Sequence, residues 1–440
     1  MPYIPHTQKE TEEMLKAIGV SKIEDLFDAV PSNLLQKGYY NLPEGLNEQK
    51  TKEKISKIAK KNKNAEMNFL GGGMYNHYIP AHVPYLAGRG EFYTAYTPYQ
   101  PEISQGILQS IFEYQTMITR LTSMDATNAS MYDGSSATAE VCLMTASITG
   151  RKKVLVGRNV NPQYREVMNT YCKAKDLEIK EIPFDMGSGE IDQEKLRQLM
   201  DENTAGVFVQ SPNFFGVVED MKEISSKVKA KGAISVQIVT EALSLGLLVP
   251  PGENGVDIVV GEGQSFGLDV SAGGPGFGFL ATKEQYMRKL PGRIVGQSED
   301  SDGKKAYVLT LQAREQHIRR EKATSNICSN QALCAVRGLI YLATLGKKLK
   351  DLAMLNHKNA LYFQKLLNGK KVSRLFSSSF FNEFVVTVDN ASEILKKLRK
   401  NSIAGGINLE KFYPEFKDKI LICVTEMIDK QAMEKYLGSL

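Results

Sequence analysis

Tryptophan is absent from this 440-residue chain, and cysteine is scarce. An odd number of cysteines, scattered through helix and strand patterns, excludes a disulfide framework and predicts buried thiols. They are Cys142, Cys172, Cys328, Cys334 and Cys423. No apolar run approaches the roughly 18 residues of a membrane helix, because the best candidate, residues 242–249, contains Gly246 and runs into Pro250. The N-terminus shows neither a basic start nor a long apolar segment, so we expect a cytoplasmic protein with no membrane partner.

An excess of charge of either sign is also missing. The 55 Lys and Arg against 50 Asp and Glu leave a net charge of +5, too small for this length to indicate a nucleic-acid partner. Lysines do cluster between residues 52 and 63, but Ile55 and Ile58 on the opposing stripe indicate the solvated face of one helix. His77 and His82 lack the Cys or carboxylate partners of a metal site, so no metal is predicted.

What the chain does have is an ordinary globular composition, 42% hydrophobic and 24% charged, with a regular alternation of strand and helix patterns. Strand runs that are apolar on both faces, separated by helices, predict a mainly parallel α/β sheet covered on both sides. The predicted strands are residues 153–156, 177–182, 206–210, 233–239 and 256–260, and the helices between them are residues 164–173, 193–200 and 219–229. Ligands of such sheets bind beyond the carboxyl ends of the strands.

Three parts are predicted along the chain. Residues 1–65 form a helical N-terminal arm with two capped helices, the first started by Thr7 with Glu10 and the second by Ser21 with Glu24. Such short amphipathic helices cannot bury their apolar faces alone, so the arm is expected to pack on the main body or on a partner chain. Residues 66–330 form the large domain. Residues 331–440 form a smaller C-terminal α/β domain, with helices at 331–345, 391–399 and from about 429, strands at 383–388 and 420–424, and a hinge near 370–380.

Two segments could bind an anion. Gly134, Ser135 and Ser136 open a helix after Asp133, which is either a phosphate cradle or plain capping by Asp133 or Ser135. Thr324, Ser325 and Asn326 precede a helix expected to start near residue 330. They form either a second anion site or, for Thr324, a cap of that helix.

An irregular, proline-marked loop at residues 92–102 carries several aromatic side chains. Tyr96 and Tyr99 combine a large apolar area with one hydrogen-bonding group, which suits a binding surface or a subunit interface. The alternative, left open by the sequence, is an ordered loop packed on its own domain.

Three strings, FYTAYTPYQPEISQG at residues 92–106, MYDGSSATAE at 131–140 and REKATSNICSNQAL at 320–333, occur in this order. With them, essentially the whole chain resembles the alpha subunit (subunit 1) of the two-subunit glycine decarboxylase, the P-protein of the glycine cleavage system. The resemblance implies a fold-type-I pyridoxal phosphate architecture, in which a lysine forms the Schiff base and an aspartate holds the pyridine nitrogen.

Both residues are missing here. Aligning the run that begins at Gly273 with the similar run of the catalytic subunit puts Gln264 at the lysine position, and Thr240 and Glu241 stand where the family's Asp-Gly-Ala would begin. An amide cannot form an imine, so the chain is expected to carry no working cofactor of its own. Gly134, Ser135 and Ser136 then become a relic of a phosphate cradle.

The resemblance implies that a homologous catalytic (beta) subunit binds pyridoxal phosphate and that residues of this chain complete its site. Thr324, Ser325 and Asn326 would approach the phosphate, and His82, Tyr96 and Tyr99 would line the substrate mouth. The complex would decarboxylate glycine and pass the aminomethyl group to the lipoyl arm of the H-protein. The alternatives are a catalytically silent scaffold subunit and a self-sufficient homodimeric pyridoxal phosphate decarboxylase, against which Gln264 argues.

Overall fold

The computed structural model of the chain describes residues 5–35, 38, 41–325, 327, 329–368 and 372–440. They belong to two compact units, Met1–Lys63 and Asn64–Leu440. Asn326 and Cys328 of the sequence predictions lie outside the described residues. Of the other cysteines, Cys334 is half-buried, the remaining three are buried as predicted, and all four are free thiols.

The first unit contains helices α1 (Gln8–Ile18) and α2 (Glu48–Ala59). The predicted start of α1 is confirmed, since the Thr7 hydroxyl accepts the Glu10 N–H and the Glu10 carboxylate accepts the Thr7 N–H at 2.7 Å. The predicted second capped helix is wrong. Residues Ile23–Phe27 form only a short 3₁₀ helix whose N-cap is Lys22, and the Asp25 carboxylate within it accepts the N–H groups of Ser21 and Lys22.

The second unit holds all the strands of the described residues and the remaining helices. The strands are β1 (Met67–Asn68), β2 (Ala126–Thr127), β3 (Lys153–Gly157), β4 (Glu178–Ile182), β5 (Thr204–Gln210), β6 (Ile234–Val239), β7 (Ile258–Glu262), β8 (Gly278–Thr282), β9 (Ile294–Glu299), β10 (Lys305–Thr310), β11 (Ser373–Arg374), β12 (Glu383–Thr387), β13 (Ile403–Ala404), β14 (Ile407–Asn408) and β15 (Lys419–Cys423). The helices are α3 (His82–Ala87), α4 (Gly90–Tyr93), α5 (Gln105–Thr122), α6 (Gly134–Thr149), α7 (Pro162–Ala174), α8 (Gln193–Leu199), α9 (Met221–Ala230), α10 (Gln316–Arg319), α11 (Ala332–Leu345), α12 (Leu349–Leu367), α13 (Ala391–Lys400) and α14 (Lys430–Gly438).

The main sheet has seven strands in the order β2-β8-β7-β6-β5-β3-β4. From β7 to β4 all neighbours are parallel, which confirms the predicted mainly parallel sheet. Strand β8 is antiparallel to both β7 and β2, and the sequence did not predict it. Strands β3, β5, β6, β7 and β8 are buried along their whole length. Strand β4 is an edge strand reading EIKEI, and its Glu178 and Glu181 are exposed, so the expectation of apolar faces fails there. Apolar side chains from the faces of the sheet and from the flanking helices form the core on each side.

The C-terminal part contains a four-stranded antiparallel sheet in the order β11-β12-β15-β14. Strand β1, far earlier in the chain, pairs in parallel with β13 and so ties residues near 67 to residues near 403. Helix α12, which the sequence did not predict, packs its buried face partly on this sheet. The proposed border between a large and a small domain at residue 330 stays a prediction. In the part of the chain described, no helix is both long and apolar enough to cross a membrane.

Candidate functional site

The carboxyl ends of β6 and β7 lie where a parallel sheet binds its ligands. Gln264 follows β7, and its side chain is buried. Its amide oxygen accepts the N–H of Tyr75 at 2.9 Å, and its amide nitrogen donates to the carbonyl oxygens of Tyr75 at 2.9 Å and Leu268 at 2.7 Å. The carboxamide at the predicted lysine position therefore acts as a clamp on the backbone of the segment around Tyr75.

That segment, residues 71–78, crosses the strand ends. The Tyr75 hydroxyl donates to Glu383 Oε2 at 2.8 Å, and the Gly72 N–H donates to Glu383 Oε1 at 2.7 Å. Both side chains are buried, and burial, only partly offset by these two donors, raises the pKa of Glu383 to about 8. Strand β12, which carries Glu383, is thus bonded to the segment that covers the ends of β6 and β7.

His77 lies between two carboxylates from distant parts of the chain. Its Nε2 is 3.0 Å from Glu241 Oε2 and its Nδ1 is 2.9 Å from Glu426 Oε2, and the imidazole is almost fully buried. Burial disfavours the cation, but the charges and hydrogen bonds of the two carboxylates outweigh it and raise the pKa of His77 to about 10. His77 is therefore an internal cation that neutralises part of the acidic charge beside β6.

At the start of α6, Asp133 is the N-cap, and its carboxylate accepts the Ser136 N–H at 2.8 Å and the Ser135 hydroxyl at 2.5 Å. The capping interpretation by Asp133 is thus confirmed. The Gly134 N–H donates to Glu262 Oε2 at 2.9 Å. A Cβ at Gly134 would meet the backbone of Glu262 at 2.9 Å, which explains the glycine.

Glu262 also accepts the N–H groups of Gln264 and Phe277, each at 3.1 Å. These hydrogen bonds lower the pKa of Glu262, but its burial has the larger effect and raises the pKa to about 7. The N–H of Gly134, which opens a phosphate cradle in the sequence prediction, is therefore already bonded to a carboxylate of the same chain. With an amide at the lysine position and a carboxylate at these donors, the residues present do not fit pyridoxal phosphate.

The aromatic loop lies elsewhere on this unit and is open to solvent. Tyr96 and Tyr99 are 79% and 46% exposed, unlike side chains packed in an ordered core. The Tyr96 hydroxyl is 3.1 Å from Ser329 Oγ. The Tyr99 hydroxyl accepts a hydrogen bond from Arg293 at 2.9 Å, and its ring meets the edge of His317 at a centroid distance of 5.5 Å. The loop is thus fixed at its base while its rings remain available.

In the sequence, Thr324 and Ser325 lie between His317, which contacts Tyr99, and Ser329, which contacts Tyr96. Thr324 is exposed, and the Ser325 hydroxyl accepts the Ile327 N–H at 3.2 Å. Helix α11 begins only at Ala332, and its N-cap, Gln331, makes no side-chain cap. The alternative in which Thr324 caps this helix is therefore wrong. The third residue of the predicted set, Asn326, lies outside the described residues.

His82 starts α3 and is exposed, with Nε2 2.8 Å from Thr344 Oγ1 near the end of α11. Thr344 lies about 18 Å along α11 from Ala332, at 1.5 Å per residue, whereas Tyr96 contacts Ser329 just before that helix. Tyr96 and Tyr99 thus contact residues on either side of Thr324 and Ser325 in the sequence, whereas His82 lies at the other end of helix α11.

The pairing of several charged residues in these regions was not found from the sequence. His77 pairs with carboxylates 164 and 349 positions away, and Glu262 bonds to a glycine 128 positions away. The buried pair of Arg293 and Glu315 was also missed. No local pattern marks such pairs, because their partners come from separate elements. Among the described residues no group of three His, Cys, Asp or Glu side chains has the arrangement of a metal site.

Comparison with known proteins gives a consistent result over the whole length. Residues 1–440 match the family model described as glycine cleavage system P-protein. The chain is 50% identical over 437 residues to the probable glycine dehydrogenase (decarboxylating) subunit 1 of Carboxydothermus hydrogenoformans, covering 99% of this chain and 98% of that protein. It is 48% identical to the protein of the same name from Desulfitobacterium hafniense, covering 100% and 99%.

Among solved structures, a glycine decarboxylase (P-protein) of the glycine cleavage system in inhibitor-bound form superposes with a TM-score of 0.91 at 40% identity, covering 100% of this chain and 99% of that one. A sphingosine-1-phosphate lyase from Burkholderia pseudomallei shares the fold alone, with a TM-score of 0.67 at 14% identity and 91% coverage of each chain. The resemblance read from the three sequence strings and the predicted fold class are both confirmed.

Proposed function

Because the chain belongs to the glycine cleavage system P-protein family, we propose that it is the subunit of a glycine dehydrogenase (decarboxylating) that lacks the Schiff-base lysine. Together with a homologous catalytic subunit it decarboxylates glycine and transfers the aminomethyl group to the lipoyl arm of the H-protein. Pyridoxal phosphate supplies the electron sink for the decarboxylation. The single observation that carries the proposal is the state of Gln264, whose amide is fully engaged within the chain.

The cofactor is assigned to the partner subunit. Two residues support this assignment. Gln264 stands in place of the amine, and Glu262 accepts the Gly134 N–H, a donor that a cofactor of this chain would need. Fold-type-I sites lie at a subunit interface in the family that the sequence resembles. What this chain then contributes are side chains that are exposed here and become enclosed when the catalytic subunit binds.

The exposed tyrosine loop and the adjacent Thr324 and Ser325 are the groups proposed to face that site. The rings of Tyr96 and Tyr99 restrict the mouth and exclude water, while their hydroxyls orient the small polar substrate. The hydroxyls of Thr324 and Ser325, with Asn326, donate to the phosphate of the partner's cofactor. His82 is retained as a proposed residue of the rim, at a distance from the others. The bacterial origin of the relatives supports a cytoplasmic location.

The test is reconstitution of the chain with its catalytic subunit. Release of CO2 from glycine is measured with lipoylated H-protein, for each subunit alone and for the mixture. Absorbance at about 420 nm, where the bound cofactor absorbs, is recorded for the same three samples. We expect both signals to need the catalytic subunit and the turnover to need this chain as well.

Each alternative gives a different pattern. A self-sufficient enzyme would show both signals in this chain alone. A silent scaffold would raise the amount of folded catalytic subunit, yet turnover per folded catalytic subunit would be unchanged by this chain. Tyr96→Phe tests the scaffold alternative further. It removes only a hydroxyl that contacts Ser329, on a residue that is 79% exposed, so turnover per folded complex should fall if Tyr96 lines a substrate mouth and stay unchanged if the chain is only a scaffold.

A further inference from the structure

A buried ion pair lies directly beneath the tyrosine loop. Arg293 and Glu315 have side chains that are 4% and 5% exposed, with Arg293 Nε 3.7 Å from Glu315 Oε2. The Arg293 guanidinium also makes two contacts with Tyr99 of the loop. It donates to the Tyr99 hydroxyl at 2.9 Å, and its central carbon lies 5.3 Å from the centre of the Tyr99 ring. Glu315 in turn lies 3.6 Å from His317 Nδ1.

The backbone that carries Arg293 is itself fixed. The Arg293 carbonyl accepts the Ala129 N–H at 2.7 Å. The next residues enter β9, where Gln115 bonds Val295 in both directions at 2.9 Å. Arg293 is therefore a long side chain on a hydrogen-bonded stretch of backbone, and its planar guanidinium can contact two neighbours at once.

The two neighbours belong to different segments. Tyr99 lies in the loop at residues 92–104, and Glu315 opens the segment at residues 315–325 that carries Thr324 and Ser325. Both segments consist of short turns and irregular backbone, so little regular hydrogen bonding orders them internally. Arg293 therefore contacts both segments, Tyr99 by a hydrogen bond and Glu315 as an ion pair.

We propose that Arg293 and Glu315 are positioning residues that hold the tyrosine loop and the 315–325 segment in one joint arrangement, so that Tyr99 and the hydroxyls of Thr324 and Ser325 face the partner's site together. The effect of this positioning on catalysis rests on the proposed function. The physical linkage of the two segments is independent of it and can be measured on this chain alone.

The first measurement is hydrogen exchange of the isolated full chain. Arg293→Lys keeps a charge but loses the planar fork, and Arg293→Met paired with Glu315→Gln removes both charges without leaving one buried and unpaired. We expect faster exchange in residues 92–104 and in residues 315–325, with the seven-stranded sheet unchanged. Lys304→Met is the matched control, since Lys304 is an exposed cation in the turn between β9 and β10. Exchange that changes in neither segment, or in only one of them, overturns the linkage.

The second measurement is a double-mutant cycle on the reconstituted complex, with Arg293→Lys, Tyr99→Phe and the two combined. If Arg293 acts through Tyr99, each single substitution lowers kcat/KM about tenfold, the effect of one lost hydrogen bond to a charged group, and the combination costs no more than either. Additive losses, or unchanged kcat/KM beside faster exchange, overturn the positioning role. A wild-type complex that does not turn over glycine refutes the proposed function instead, and the exchange result still decides the linkage.

Discussion

The carboxamide of Gln264 and the backbone of Tyr75 hydrogen-bond to each other in both directions, at 2.9 Å each. This pairing holds the segment at residues 71–78 across the ends of β6 and β7. The covering segment is bonded in turn to Glu383, and His77 to Glu241 and Glu426. The surroundings of Gln264 are therefore filled by hydrogen bonds within this chain, and they differ from a lysine-bearing site by more than the amide at one position.

Restoring the amine is expected not to restore a cofactor site. Gln264→Lys supplies the nucleophile, but Glu262 still occupies the Gly134 N–H and residues 71–78 still cover the strand ends. Wild type and variant are treated with pyridoxal phosphate and then borohydride, and labelled lysines are mapped by mass spectrometry. Neither protein should carry a stoichiometric adduct at any single lysine. A full adduct at residue 264 would show that the network opens readily.

Removing the internal cation should destabilise the chain strongly. His77→Gln leaves the buried carboxylates of Glu241 and Glu426 without their shared partner, which costs about 3–5 kcal/mol of unfolding free energy. Urea unfolding of the isolated chain measures this loss. His6→Gln, an exposed histidine, is the control and should change nothing. A loss below about 1 kcal/mol would mean that the pair contributes no more than a surface ion pair.

The same histidine makes stability depend on alkaline pH. Its pKa is raised from 6.5 to about 10 in the folded chain, so its contribution is complete below pH 6.5 and is lost as the pH rises towards 10. The melting temperature of the wild type should therefore fall across this window. The slope should be smaller in His77→Gln, and an unchanged slope would exclude a charged His77 in the folded state.

Glu383 contributes a second pH dependence, in a lower window. A carboxyl whose pKa rises from 4.5 to about 8 favours the folded state while it is protonated, so the contribution of Glu383 to stability is complete below pH 4.5 and is lost between about pH 4.5 and pH 8. Glu383→Gln mimics the protonated form and keeps an acceptor for Gly72. It should remove a loss of unfolding free energy on the order of 5 kcal/mol between these pH values. Comparing urea unfolding at pH 5 and pH 8 for both proteins tests the direction.

Thr324→Val should weaken cofactor retention by the complex without weakening the fold. The hydroxyl is exposed and caps no helix, so its removal leaves the melting temperature of the isolated chain unchanged. If the hydroxyl donates to the partner's cofactor phosphate, the cofactor dissociation constant of the variant complex should be at least tenfold larger than that of the wild-type complex. A hydrogen bond to a charged group contributes about 1.5–3 kcal/mol, which corresponds to this change. Equal dissociation constants would remove Thr324 from the proposed site.

The N-terminal arm is expected to be an interface element. Large apolar side chains of this unit are exposed, among them Ile18, Phe27 and Leu42 at 62%, 50% and 75%. Exposed apolar groups of this number mark a binding surface. Deleting residues 1–60 should weaken co-purification with the catalytic subunit. If association is unaffected while the truncated chain remains folded, the arm has no role in pairing.

The sequence predicted the sheet well where burial is complete. Strands β3, β5, β6 and β7 are apolar on both faces, and their predicted bounds differ from the observed ones by a few residues at most. Strand β8 was missed because it follows a glycine-rich run and is antiparallel to β7. No helix pattern separates it from β7, so the alternation of strand and helix did not indicate it. The 3₁₀ element at Ile23–Phe27 was predicted as an α-helix because, over so few residues, the spacing of apolar side chains is the same in both kinds of helix.

The site divides in a similar way. Gln264 was found because a single position suffices to show that an amine is missing. His77, Glu241 and Glu426 act only as a set, and the three positions are separated by most of the chain, so their role needs the fold. Arg293 is likewise marked by no local pattern, since its two neighbours come from a loop and from a turn.

The exposed edge strand β4 has a consequence for how copies of this chain meet. An open edge offers unpaired N–H and C=O groups to any other strand, but here Glu178, Lys180 and Glu181 are charged and exposed along a strand of five residues. A second copy docking edge to edge would set like charges against one another and strip water from them. Strands of neighbouring molecules are thereby kept from joining into a continuous sheet at high concentration. Association is left to the loops and helices, whose side chains distinguish one partner from another.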